Sequence, residues 1–187
     1  MQQKITLIKW FALAGMFSWS SFTWAFADEE RDWGIVPVAE IRQAPYSAPT
    51  PRSLPGGRTI TTTQLHELLV LEPSPVLIDV AGGEGHDSPR GAFWIPGAGR
   101  GTHFLDPIQA ELGGYLARLT DGNRNRPLVF FCVNVQCWLS YNAALRAIAL
   151  GYSRVFWYRG GLASWAEAGL PMVSVSLPNT ESPTSQK

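Results

Sequence analysis

The apolar positions of this chain fall into short runs with two different periods. Pro75-Val-Leu-Ile-Asp-Val80 and Pro127-Leu-Val-Phe-Phe-Cys132 are near-continuous stretches of β-branched, aliphatic and aromatic residues, each entered through a proline. Runs of that length without alternation are expected as strands buried on both faces. Arg154-Val-Phe-Trp-Tyr158 has the same character, and Ala92-Phe-Trp-Ile95 is a shorter version of it. Between these runs the spacing becomes helical. Leu65, Leu68 and Leu69 follow the hydroxyl-rich start Thr61-Thr-Thr63, and Leu112, Leu116 and Leu119 share a face within 105–119. Leu139, Ala143, Ala147 and Leu150 do the same from Trp138 onward, and 162–168 reads as a last short helix. Val173-Ser-Val-Ser-Leu177 alternates in the manner of an edge strand. Strands alternating with helices predict an α/β domain with a largely parallel central sheet flanked by helices.

The ends of the chain read differently. Lys4 and Lys9 precede an apolar stretch from Trp10 that closes on Ala25-Phe-Ala27, followed at once by Asp28-Glu-Glu-Arg-Asp32. A basic start, an apolar middle and an A-x-A exit predict a secretory signal peptide over 1–27, hence a periplasmic protein with no stable membrane anchor after cleavage. Residues 28–58 carry Pro37, Pro45, Pro49, Pro51 and Pro55 with no helical or strand period, and read as a proline-rich arm that Trp33 and Tyr46 can pin to the domain. The domain itself is expected over 59–175, with 176–187 as a polar, disordered tail. Fifteen basic residues balance fifteen acidic ones without a basic block, so nothing points to nucleic acid.

The candidate chemistry is concentrated at one strand–helix junction. Cys132 ends the apolar run, Cys137 opens the helix, and Val133, Asn134, Val135 and Gln136 form the loop between them, with Trp138 beside it. A thiol at the carboxyl end of a buried strand, facing a helix N-terminus, meets backbone N–H groups and a dipole that favour the thiolate. In an oxidising compartment the pair is expected as a disulfide that locks the loop, as a redox or sulfur-relay pair in which Cys137 resolves chemistry begun at Cys132, or as free structural thiols. Two thiolates also suit Cu(I), with His86 or His103 to complete the set. Neither histidine lies at ligand spacing, and neither a metal nor another cofactor is expected. Asp79, at a strand end, fits a loop-tethering structural role, and Arg90 and Arg100 fit solvated loop positions.

Several of these segments together resemble the rhodanese-like domain family. Leu77-Ile-Asp-Val80 resembles its first core strand, and Arg90-Gly-Ala-Phe-Trp-Ile-Pro-Gly97 a segment of the type GHIPGA. Gly151-Tyr152 with Val155–Trp165 resembles its closing glycine-pair and tryptophan segment. The resemblance implies a rhodanese-like fold and sulfurtransferase-type chemistry with Cys132 as the persulfide-forming nucleophile. The family's loop pattern is C-x-x-G-x-R; here Val135 stands in place of the glycine and Cys137 in place of the arginine. That removes the guanidinium that binds an anionic donor. Cys137-Trp-Leu-Ser-Tyr-Asn-Ala-Ala144 and the arm Arg42–Pro51 are similar to exported proteins of pyrroloquinoline quinone-dependent alcohol catabolism named for a CXXCW motif, although this pair is spaced C-x4-C. The resemblance implies as partner a small sulfur or thiol compound, a periplasmic redox protein or a quinone-dependent dehydrogenase system. The other class of function left open is a non-catalytic accessory module whose cysteine loop is a stapled recognition surface.

Overall fold

The computed structural model describes residues 28–176; the expected signal peptide over 1–27 and positions 177–187 of the expected tail lie outside the described residues. In chain order the elements are β1 (Arg58–Ile60), α1 (Thr62–Leu69), β2 (Val76–Asp79), β3 (Gly85–Pro89), β4 (Phe93–Trp94) and α2 (Pro107–Leu119). They continue with β5 (Leu128–Phe131), α3 (Trp138–Ala149), β6 (Val155–Tyr158), α4 (Gly161–Glu167) and β7 (Met172–Ser176). The central sheet runs β1-β6-β5-β2-β4 with every pair parallel. This is the expected α/β architecture, a parallel central sheet with helices on both faces.

Strand alternation divides the core in two. Val76, Ile78, Val80, Leu128, Phe130 and Cys132 pack on the face that carries α2 and α3. Leu77, Val129, Phe131 and Tyr158 pack on the other, with Leu65 of α1 and Trp165 of α4. Both faces of β2 and β5 are therefore covered, which is why their sequences read as unbroken apolar runs.

Several elements depart from the sequence reading. The 172–176 strand does not extend the main sheet; it pairs antiparallel with β3 in a separate two-stranded sheet. β3 itself lies inside 82–101, a stretch read as loop, because Gly85-His-Asp-Ser-Pro89 has none of the residues that favour strands and is held there by its partner. The helix expected from Leu105 starts at Pro107, where the Asp106 side chain accepts a bond from Gln109 N and proline supplies the first turn.

The arm wraps over α3. The Tyr141 hydroxyl accepts from Val38 N and donates to Val38 O, at 3.0 and 2.8 Å. The Asn142 amide grips Arg42 in the same two-way manner, at 3.0 and 2.8 Å, and also donates to Gly99 O. With the sheet, α2 and the arm around it, α3 is buried at every position from Trp138 to Ala147. A helix read as amphipathic is thus covered nearly all round. Inside it, Arg146 is fully buried and reaches Asp106 Oδ2, Gln109 Oε1 and the carbonyls of Arg100 and His103, which fastens the 100–109 loop.

Candidate cysteine site

The site sits where β5 hands over to α3, at the carboxyl edge of the parallel sheet, the usual position for chemistry in such folds. Cys132 and Cys137 form a disulfide, with their Cα atoms 6.1 Å apart. The loop between them is a tight turn: Cys137 N donates to Asn134 O at 3.0 Å, and Gln136 N donates to the Asn134 side chain at 2.9 Å. Cys137 is the N-cap of α3. The two residues differ in access. Cys132 is 2% exposed, whereas Cys137 is half-buried, so the more accessible residue of the pair is Cys137 and not the one read as nucleophile.

Two neighbours hold the loop from below and above. From below, Leu162 N and Ala163 N of α4 donate to the carbonyls of Cys132 and Val133, each at 2.9 Å. This approach needs Gly161, whose φ is +62° and whose place a Cβ could not share with the Cys132 carbonyl oxygen. From above comes the arm. Ser47 forms an antiparallel bridge with Cys137, closed by Ala48 N to Gln136 O and Trp138 N to Tyr46 O, both at 2.9 Å. Thr50 Oγ1 donates to Val135 O at 2.6 Å, and Trp138 Nε1 donates to Pro49 O at 3.1 Å. Arg42 stacks over Trp138 with its guanidinium carbon 4.6 Å from the ring centroid.

Three of the amides expected to cradle an anion are therefore already engaged. Cys137 N and Gln136 N serve the turn and Trp138 N serves the arm. Val135, in the glycine position of the family pattern, is buried against Thr50 rather than opening toward a ligand, while Val133 and Gln136 are exposed. Arg90 and Arg100 are exposed and Arg42 lies over Trp138. The positive group close to this loop from the far side is Arg159, buried and bonded through Nε and a terminal nitrogen to Thr50 and through the other nitrogen to Glu29 O. Burial, with Arg52 nearby, holds the Arg159 guanidinium below its ordinary range. Sequence reasoning missed Arg42, Thr50 and Arg159; nothing local marks them, since each meets the site through a contact 85 or more positions away along the chain.

Asp79 lies on the opposite face of the sheet from Cys132, as strand parity requires. It is fully buried and accepts from Ala81 N, Ser88 Oγ and His86 Nε2 at 2.9, 2.7 and 2.6 Å, so it ties the start of β3 to β2. His86 meets Trp94 edge-on at 5.0 Å, and the ring nitrogen Nδ1 of His103 accepts from Leu105 N. Among the described residues there is no cluster of three or more His, Cys, Asp or Glu able to hold a metal ion.

Comparison with known proteins places this geometry in a family. No curated protein matches the sequence at a significant level. Among solved structures, the chain is similar to the polysulfide-sulfur transferase homodimer from Wolinella succinogenes, with 16% identity over 69% of this chain and 85% of that one and a TM-score of 0.45. A full-length protein from Lactobacillus plantarum gives 18%, 63%, 88% and 0.45, and thiosulfate sulfurtransferase from Pseudomonas aeruginosa gives 18%, 63%, 20% and 0.46. Some matched chains are much longer than the shared region, which spans 32% of EanB in its complex with hercynine. The family model for the rhodanese-like domain matches residues 61–168, more than half of the chain, and the chain belongs to the rhodanese-like domain family.

Proposed function

We propose that this protein is an exported thiol–disulfide or sulfur-exchange protein of the rhodanese-like family, working through Cys132 and Cys137 in the periplasm as part of a pyrroloquinoline quinone-dependent alcohol catabolism. The observation that carries the chemistry is the bonded pair with one residue buried and the other half-buried at the start of α3. An incoming thiolate attacks the Cys137 sulfur, the Cys132–Cys137 bond breaks, and Cys132 leaves as the thiolate, to be reprotonated or to attack in turn. In the sulfur-transfer variant, a persulfide on Cys137 is attacked by the Cys132 thiolate; hydrosulfide leaves and the disulfide re-forms. In the first step the incoming thiolate supplies the electron pair; in the second the Cys132 thiolate does, and hydrosulfide carries it away.

Two arguments favour exchange over a purely structural staple. The bridge joins residues only five apart in sequence, so it constrains little of the unfolded chain and contributes about 2 kcal/mol by loop-closure entropy. Its loop is also held independently by α4 and by the arm, so it has little left to hold. The periplasmic address and the quinone-dependent setting rest on the leader-like N-terminus and on the resemblance of Cys137–Ala144 and the arm.

The test is a redox titration of the purified, exported protein against dithiothreitol couples, with thiols counted by alkylation and mass. Reversible reduction in the folded state is expected; a bridge that reduces only on unfolding overturns the proposal. The arm's engagement of the loop amides favours a second reading, an accessory binding module with a stapled loop. Under that reading the C132S/C137S double variant supports growth on the alcohol as well as the parent does. Under the exchange reading it does not.

A further inference from the structure

The arm does more than cover the disulfide; it docks there through an isolated antiparallel bridge. The bridge at Ser47 and Cys137 is closed by bonds one residue to either side, from Ala48 N to Gln136 O and from Trp138 N to Tyr46 O. That pattern makes Ser47 and Cys137 a non-hydrogen-bonded antiparallel pair, in which the Cα atoms approach to about 4.5 Å and the two side chains lie together on one face. The same separation falls within the range of disulfides. Ser47 is exposed, Cys137 is the more accessible residue of its bridge, and serine stands at the register position where a partner's cysteine would meet Cys137.

From this geometry we infer that the edge formed by Gln136 O and Trp138 N is a main-chain docking site for an extended polypeptide segment carrying a cysteine, and that Tyr46-Ser47-Ala48 is a built-in, unreactive mimic of it. The inference rests on the exchange function proposed above and names its partner class. Recognition through one carbonyl and one amide demands no particular side chains, as when a strand is added to a sheet edge. The partner's cysteine, in register with Cys137, attacks the Cys137 sulfur as the thiolate. The Cys132–Cys137 bond breaks, a mixed disulfide forms between partner and Cys137, and the electron pair leaves on Cys132. The arm is held on either side of the mimic, by Arg42 over Trp138 and by Thr50 on Val135 O, so three residues can be displaced without freeing the whole arm.

Two experiments test this. In the full exported chain, S47C places a sulfur in the partner's position. Alkylation and peptide mapping are expected to find it bonded to Cys137 as a major species, with Cys132 alkylated; quantitative retention of Cys132–Cys137 overturns the inference. The second experiment compares wild type with R42A, which loosens one anchor of the arm. The probes are dithiothreitol and a synthetic peptide spanning residues 45–49 with cysteine in place of Ser47. The rate with the peptide is expected to rise several-fold relative to the rate with dithiothreitol. An equal rise with both probes means that the arm is only a cover and overturns the inference while leaving the exchange function standing. Failure of both probes on wild type and variant alike counts against the exchange function itself, and S47C still decides the docking geometry.

Discussion

At the scale of single residues, one hydroxyl joins three parts of the molecule. Thr50 Oγ1 donates to Val135 O in the cysteine loop and accepts from Arg159 Nε at the end of β6. Thr50→Val keeps the shape and removes both bonds, leaving a buried carbonyl and a buried guanidinium N–H unpaired. The expected cost is about 3 kcal/mol, read as a lower urea midpoint; a loss below about 0.5 kcal/mol would mean that water replaces the hydroxyl. Gly161→Ala is expected to cost at least as much, because it combines a positive φ with overlap on the Cys132 carbonyl, and a thermal melt within a degree or so of wild type would refute that. The cysteine pair itself was legible from its place between an apolar run and a helix. Thr50 and Arg159 were not, since their bonds span 85 and 109 positions and leave no local pattern. The glycine pair of the closing segment was legible, but only the packing of α4 beneath the cysteine loop shows why Gly161 must be glycine.

At the scale of elements, α3 and the arm behave as a helix with a strap. The Asn142 side chain holds Arg42 by both main-chain groups and Gly99 by a third bond, and it is fully buried. Asn142→Ala deletes all three bonds and leaves the Arg42 amide to find water. The middle of the arm is then expected to open locally without global unfolding, so that amides of residues 38–48 exchange faster while those of β2 and β5 keep their protection. Uniform loss of protection would show instead that the strap and the sheet form one cooperative unit. Burial also pushes the Tyr141 hydroxyl up to about 12, against the opposing effect of its bond with Val38, so this second grip stays intact through the ordinary alkaline range. The strands β2, β5 and β6 were readable because burial on both faces leaves unbroken apolar sequence. β3 was not, because His86 and Ser88 earn their places through Asp79, a contact no period encodes; its partner β7 did show as an edge strand through the alternation from Val173.

At the scale of the whole molecule, two carboxylates in different surroundings give acid stability two opposing slopes. Burial alone would raise Asp106, but bonds from Arg146, Thr102 N and Gln109 N outweigh it and bring it down to about 2. A depressed carboxyl stabilises the fold above its ordinary value of 3.8, and that contribution disappears as pH falls toward 2. Asp106→Asn is therefore expected to cost about 2 kcal/mol at pH 7, with the deficit shrinking below pH 3.8. Glu29 has the opposite sign. Its burial beneath α1 raises the carboxyl, and the bonds from Thr62 N and Oγ1 offset this only in part. A raised carboxyl favours the fold when protonated, so its contribution is complete below 4.5 and is lost as pH rises through the folded value. Glu29→Gln keeps an acceptor for Thr62 and carries no charge to bury, so the variant is expected to be more stable than wild type at neutral pH. That advantage should close as pH falls below 4.5. Urea midpoints for both proteins across pH 3.5 to 7.5 measure it, the pH limits being about one unit below and three units above the ordinary value. If Glu29→Gln is instead less stable at neutral pH, the ionised Glu29 carboxylate is a favourable cap on α1, with Arg159 and the helix N-terminus outweighing its burial.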